Sequence, residues 1–316
     1  MPVSRDSEVK VGRFLWVFLL LLIPSSLAAG GAAEAAREAP DPNPSYPMTI
    51  VDSYDREVLI SRDPRRIVSL GPNVTEIIFA LGEGARIRGR TSWCDYPPGA
   101  RAIPSVGTLM EPGVEAVASL NPDLIIGSTH FQRETLAKFE QLEIPVLVVY
   151  GPSDFSGVYH TIRRIALALD RTEQGEAVVA AMRQRVEETL RRVEELPPRR
   201  VYYALSFGES GDYTAGGDTF VHELLTLAGG ENVAADIRGW AYSTEMVVEE
   251  DPELIICSDE PGTRERLMNA AGYRELSAVK AGHVYTIDTD LIDRQGPRLA
   301  EGLAALARIL HPEAFR

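Results

Sequence analysis

Val114–Ile126 reads VEAVASLNPDLII and Thr244–Ile256 reads TEMVVEEDPELII. Six of these 13 positions are identical, and Asn121/Asp251 and Asp123/Glu253 are close in kind. Each copy has the form of a helix, a short turn that places a proline, and a buried apolar strand. A chain that writes this phrase twice is constrained to two similar halves, and the flanking sequence supports them. In the first half, residues 48–60 read as a hairpin. Strands are expected over 65–70, 87–93, 123–127 and 145–150, and helices over 74–82, 111–120 and 134–142. Strand-helix alternation argues for a parallel sheet covered on both sides.

The pattern changes at residue 155. Residues 155–169 and 172–195 are helical, and Val179, Met182, Val186, Leu190 and Val193 recur at three- and four-residue steps. Pro197-Pro198 end this run, which at about 1.5 Å per residue is long enough to cross a small domain. Alternation then resumes. Strands are expected over 199–206, 254–258 and 283–288. Helices are expected over 220–228, around 245–250, near 263–270 and over 298–310. The expected fold is α/β: two similar lobes with central parallel sheets flanked by helices, joined by one long rigid interlobe helix. The lobes run over 48–155 and 199–316, with interlobe helices over 156–198.

A chain of 316 residues, 45% hydrophobic and 25% charged, has core enough for two lobes. The formal net charge is −14 with no basic run, so no nucleic-acid partner is expected. Lys10 and Arg13 precede FLWVFLLLLI, and Pro24 and SSLAAG follow it. This is the pattern of a signal peptide over 1–28, too short to span a bilayer comfortably; an uncleaved anchor is the alternative. No cysteine follows it, so a lipid anchor is not indicated, and the expected location is the periplasm. Residues 29–47, rich in Ala, Pro and Gly, read as a flexible linker. Cys94 and Cys257, one per half, read as free or buried thiols, since a bridge between moving lobes would be a handicap.

Ligands of open parallel sheets bind beyond the carboxyl ends of the strands. Those ends carry Trp93, Asp95 and Tyr96 (TSWCDYPP), Ser128, His130 and Phe131 (GSTHFQ), and Tyr150 in the first half. In the second they carry Phe207, Tyr213, Trp240, Tyr242, Ser258 and Asp259, then Asp288, Asp290, Asp293 and Arg294. Aromatics make up only 7% of the chain, so their gathering here suits a large, partly apolar ligand in a cleft. For any one of them the alternative is a cap on the core. His130 is a possible metal ligand, though a surface or hydrogen-bonding role is the commoner one. The Asp288/Asp290/Asp293 cluster lacks the glycine turn and bidentate Glu of a calcium loop and reads as solvated acids around Arg294. No GxSxG, P-loop, HExxH or CxxC is present, so no enzyme is expected.

Several segments carry a resemblance: TIVDSYDREVLISRDPRRIVSLGPNVTEIIFALG, TSWCDYPP, VEAVASLNPDLIIG, TAGGDTFVHELLTLAGGENV and TEMVVEEDPELIIC. Over about residues 48–316 the chain resembles the Fe/B12 periplasmic-binding family, the class III substrate-binding proteins of ABC importers. The resemblance implies two lobes joined by a rigid helix, a shallow interlobe cleft, small closing motions and delivery of ligand to the importer permease by a monomer. It implies no cofactor, only a transported ligand. It also implies one glutamate per lobe docking on permease arginines, and matching motifs place these at Glu76 (NVTEIIFALG) and Glu231 (AGGENV). From the residues alone, Glu76 lies three after Asn73, as in a capping box.

The likeness is closest to vitamin B12-binding members, through WCDYPP, GGENV and RGW, with aromatics at Trp93 and Trp240. Phe131 would stand where such proteins carry a further Trp. Strand-end position and this likeness together give the expected binding set: Trp93, Asp95, Tyr96, His130, Phe131, Tyr213, Trp240, Tyr242, Asp290 and Arg294. Haem is the alternative ligand, with His130, Tyr96, Tyr213 or Tyr242 as axial group. A ferric siderophore is another, although a basic cleft is expected for it and only Arg294 is offered. Outside this family, the alternatives are an exported hydrolase using Asp288–Asp293 with His130, and a surface interaction protein without a small ligand.

Overall fold

The structure is a computed structural model that describes residues 45–208 and 211–316. The expected signal peptide and most of the expected linker lie outside the described residues. The linker's end is packed: Tyr46 is buried and donates its hydroxyl to the Ala168 carbonyl at 2.9 Å. A flexible reading therefore does not extend to Tyr46.

A hairpin of β1 (Met48–Val51) and β2 (Glu57–Ile60) precedes the first sheet. That sheet holds β3 (Ile67–Leu70), β4 (Ile87–Arg90), β5 (Leu124–Gly127) and β6 (Val146–Val148) in the order β4-β3-β5-β6. The second holds β7 (Arg199–Ala204), β8 (Gly230–Asn232), β9 (Leu254–Ser258) and β10 (Val284–Ile287) in the order β10-β9-β7-β8. All neighbours in both sheets are parallel. Counted within each lobe and read from the edge at β4 or β8, the order is the same, 2-1-3-4. Each sheet reverses direction between its first and third strands, the switch point where such sheets bind ligands. The repeated phrase supplies that third strand both times, as β5 and β9.

The repeat has a physical basis at each position. Helices α2 (Val114–Ser119) and α7 (Thr244–Glu250) come first. Asn121 and Asp251 then take positive φ values, 45° and 39°. Asn and Asp are the non-glycine residues that best tolerate this conformation. Asp123 accepts the backbone N–H groups of Arg65 and Arg66 at 2.8 and 2.9 Å, and Glu253 accepts Arg199 Nε at 2.7 Å. Both acids thereby tie the start of the third strand to the start of the first. Along β5, Leu124 and Ile126 face one cluster and Ile125 the other; along β9, Leu254 and Ile256 face one and Ile255 and Cys257 the other. Burial on both faces is why these strands are continuously apolar.

The inner faces of the two sheets share one apolar cluster. It runs through α1 (Pro72–Ala80), α4 (Phe155–Ala168), α5 (Thr172–Val193), α6 (Phe220–Leu227) and α11 (Leu299–Leu310). α5, 22 residues long, packs on α4 from one side and α11 from the other. Val179, Met182, Val186 and Val193 form its buried stripe. Arg163–Glu176 and Arg185–Glu301 ion pairs flank it. The two lobes belong to one compact unit. Strand β8 was not expected from the sequence: Gly229-Gly230 read only as a helix stop, yet Gly230–Asn232 pairs with the start of β7.

Candidate functional site

The candidate first-lobe wall is the loop after β4. Trp93 is 63% exposed and Tyr96 41% exposed. The second-lobe wall is the loop after β7, where Tyr213 bridges Ser206 on one side and Ala241 on the other. Thr214 N–H donates to the Trp240 carbonyl at 2.8 Å, so Tyr213 and Trp240 sit on adjoining backbone, and both are exposed. Exposed large aromatics on soluble surfaces mark binding sites when they gather. A cavity of about 460 Å³ lies at the carboxyl ends of β7 and β9, lined by Ser206, Phe207, Ser258 and Thr289 among others.

Between the lobes, a cavity of about 150 Å³ is lined from the first lobe by Asn73, Ser128 and His130 and from the second by Asp293, Arg294 and Gln295. His130 is exposed, with Thr129 Oγ1 at 3.4 Å from its Nδ1. Beside this cavity lies a dense ionic group. Arg294 donates Nη1 to Asp95 Oδ1 at 2.8 Å and to Glu76 Oε1 at 3.3 Å, and its Nη2 meets Asp290 Oδ2 at 2.7 Å. Arg298 donates Nε and Nη2 to the two oxygens of Glu76, at 3.0 and 2.8 Å, and its guanidinium lies 3.8 Å over the centre of the Tyr96 ring. Asp288 lies 4.0 Å from Arg298.

These contacts set the acidities. Burial alone would raise the Asp95 carboxyl, but the hydrogen bond and charge of Arg294 outweigh it and hold Asp95 low. Burial would lower Arg294, but Asp95 and Asp290 hold it above its usual value. Asp290 is raised by desolvation against the pull of Arg294. Asp293 is pushed up to about 6 by desolvation and by Asp290.

Four expectations need correction. Phe131 is 3% exposed and stacks on Phe139 inside the first-lobe core, beneath Gly127, so it is no part of the ligand wall. Tyr242 is buried against Tyr202. Glu76 neither caps nor projects. Helix α1 starts at Pro72 after Gly71 with no side-chain cap, and the Glu76 side chain is only 3% exposed between two arginines. Glu231 is exposed but lies on β8 beside Arg200, near the amino end of β7, away from the ligand-binding edge. Arg298 was missed; it lies four residues after Arg294 in RQGPR, at the N-cap of α11. Cys94 and Cys257 are both free and buried, and burial pushes the Cys257 thiol up to about 11.

The comparisons agree with this architecture. Residues 67–291 match the family described as periplasmic binding protein. The chain is 32% identical over 311 residues to an uncharacterized ABC transporter substrate-binding lipoprotein, YvrC, of Bacillus subtilis, covering 96% of this chain and 98% of that protein. It is 27% identical to a cobalamin-binding protein of Halobacterium salinarum, covering 95% and 85%. Among solved structures, a periplasmic heme-binding protein, RhuT from Roseiflexus sp. RS-1 in apo form, superposes with a TM-score of 0.74 at 28% identity, covering 79% of this chain and 99% of that one. With two like-ordered parallel sheets and these matches, the chain belongs to the periplasmic binding protein family, as a substrate-binding protein of the ABC-importer class.

Proposed function

We propose that this protein binds a corrinoid between its lobes and delivers it to an importer permease. The observation that carries the reading is the charge of the cleft. At the interlobe seam Arg294 and Arg298 are occupied by Glu76, Asp95, Asp288 and Asp290, and Asp293 adds a further acid. An anionic siderophore, or the two propionates of haem, would meet carboxylates here. A corrinoid rimmed by neutral amides suits a wall of Trp93, Tyr96, Tyr213 and Trp240 with polar groups between them. The Halobacterium relative, named for cobalamin, supports the reading. Haem is the second reading, favoured by the likeness to RhuT and by the exposed Tyr96 phenol. Calorimetric titration separates them. One-to-one binding of cyanocobalamin, weakened at least tenfold in Trp93→Ala or Trp240→Ala, is expected. Binding of hemin with no response to cyanocobalamin would replace the corrinoid with haem.

The docking carboxylates are better assigned to the repeat. Glu115 and Glu245 hold its second position, in the first turns of α2 and α7, and both are exposed. Both helices lead back into a strand, β5 or β9, so their first turns lie toward the carboxyl edge of each sheet, where the ligand sits. Exposed acids there steer encounter with permease arginines. Glu115→Gln with Glu245→Gln should leave ligand affinity unchanged and abolish uptake through the cognate permease. Unimpaired uptake would discard the pair.

A further inference from the structure

We infer that buried Glu76 is a positioning residue: through Arg294 and Arg298 it fixes, from the opposite lobe, the aromatic loop that receives the ligand. The inference rests on the ligand-binding reading of that loop. Glu76 stands on α1 of the first lobe, and both arginines stand just ahead of and at the start of α11 in the second. Arg294 bridges Glu76 and Asp95, and Arg298 binds Glu76 through two nitrogens while covering Tyr96. Asp95 and Tyr96 are consecutive, two and three residues after Trp93. One carboxylate therefore orients two guanidinium groups that grip two neighbouring residues of the recognition loop. Asn73 reinforces the crossing by donating to the Gln295 carbonyl at 3.4 Å, while its 3.0 Å bond to Ser128 stays within the first lobe.

The fold does not demand this arrangement. TEIIFALG (75–82) on α1 corresponds to HELLTLAG (222–229) on α6: each helix follows the first strand of its lobe and ends at a left-handed glycine, Gly82 or Gly229. Glu223 is therefore the counterpart of Glu76, yet its Oε2 has no partner. Arginines face the glutamate only on the side where Trp93, Asp95 and Tyr96 form the wall. Held side chains lose less freedom on binding, which is how preorganisation raises affinity. A bidentate, stacked guanidinium is suited to the task, and an ammonium is not.

The test uses the full chain labelled with fluorotryptophan, so that fluorine NMR reports Trp93 and Trp240 separately. Glu76→Gln should broaden the Trp93 resonance by exchange, leave that of Trp240 unchanged, and weaken cyanocobalamin binding about tenfold. Arg298→Lys, which keeps the charge, should act in the same direction and carries the test if Glu76→Gln does not fold. Trp93 and Trp240 resonances both unchanged in a folded variant, or both broadened together, would overturn the inference. Failure of the wild-type protein to bind cyanocobalamin would remove the ligand reading, while the Trp93 resonance would still decide the positioning role.

Discussion

Glu76 and Glu223 hold equivalent helix positions in two lobes of the same topology, and they meet opposite surroundings. Glu76 is saturated by two arginines from the other lobe. Glu223, on α6, faces the start of α4, where the Phe155 backbone supports it and Asp154 repels it. Desolvation, then Asp154, raises its carboxyl. A duplicated fold thus brings a glutamate to the interlobe seam twice and completes the ion pairing once. The difference teaches that the seam is braced from outside the repeat, by the segment 294–298. Ion pairs bridge the lobes on the side of the Trp93 loop, while Glu223 Oε2 has no partner on the other.

The largest effect should fall on that braced side. Removing one partner of a buried ion pair costs about 3–5 kcal/mol, so Glu76→Gln should lower the denaturation midpoint sharply, whereas Glu223→Gln should not. Equal losses in chemical denaturation would break the contrast. Next come the like-placed core residues. Ile126→Ala and Ile256→Ala should each cost about 2–5 kcal/mol. Because both side chains belong to the shared inner cluster, calorimetry should still record a single transition. Two separated transitions would instead make the lobes independent.

Smaller effects test the repeat itself. Gly tolerates positive φ, so Asn121→Gly should be near neutral. Asp251→Gly should cost about 1–2 kcal/mol more, since Asp251 also accepts the Ser277 N–H and hydroxyl at 2.8 and 2.6 Å. Equal costs would deny the Ser277 bonds any role. The smallest effect concerns pH. A carboxyl raised in the folded state destabilises that state once it ionises, so the loss grows as pH rises from the unfolded value through the raised one. Glu223→Gln should therefore be slightly more stable than the parent at pH 7, with the advantage gone below about pH 4. An advantage that persists at low pH would show that burial of charge is not its cause.

Much of this was legible in the primary structure because its signals are local. Apolar runs marked β5 and β9, three- and four-residue spacing marked α5, and Asn121 and Asp251 before proline marked the two turns. Trp93, Tyr96, Tyr213 and Trp240 could be expected at strand ends because the alternation sets where strands end. Strand β8 was hidden, since Gly-Glu-Asn carries no apolar run and forms only beside β7. Phe131 and Tyr242 misled because an aromatic after a strand suits the core as well as a cleft. Glu76 misled because helix position alone does not reveal what faces it from 218 and 222 residues away in the chain.

The amino-acid sequence by itself determined two like halves, their parallel sheets and the long helix α5. Each follows from periodicity and turn chemistry within a few residues. Tertiary structure alone decided which carboxylates are buried and which are free. Glu76 is enclosed by Arg294 and Arg298, while Glu115 and Glu245 stay exposed in the first turns of α2 and α7. The strength and purpose of a charge depend on its neighbours in space and on the water they exclude, and only the folded chain sets those.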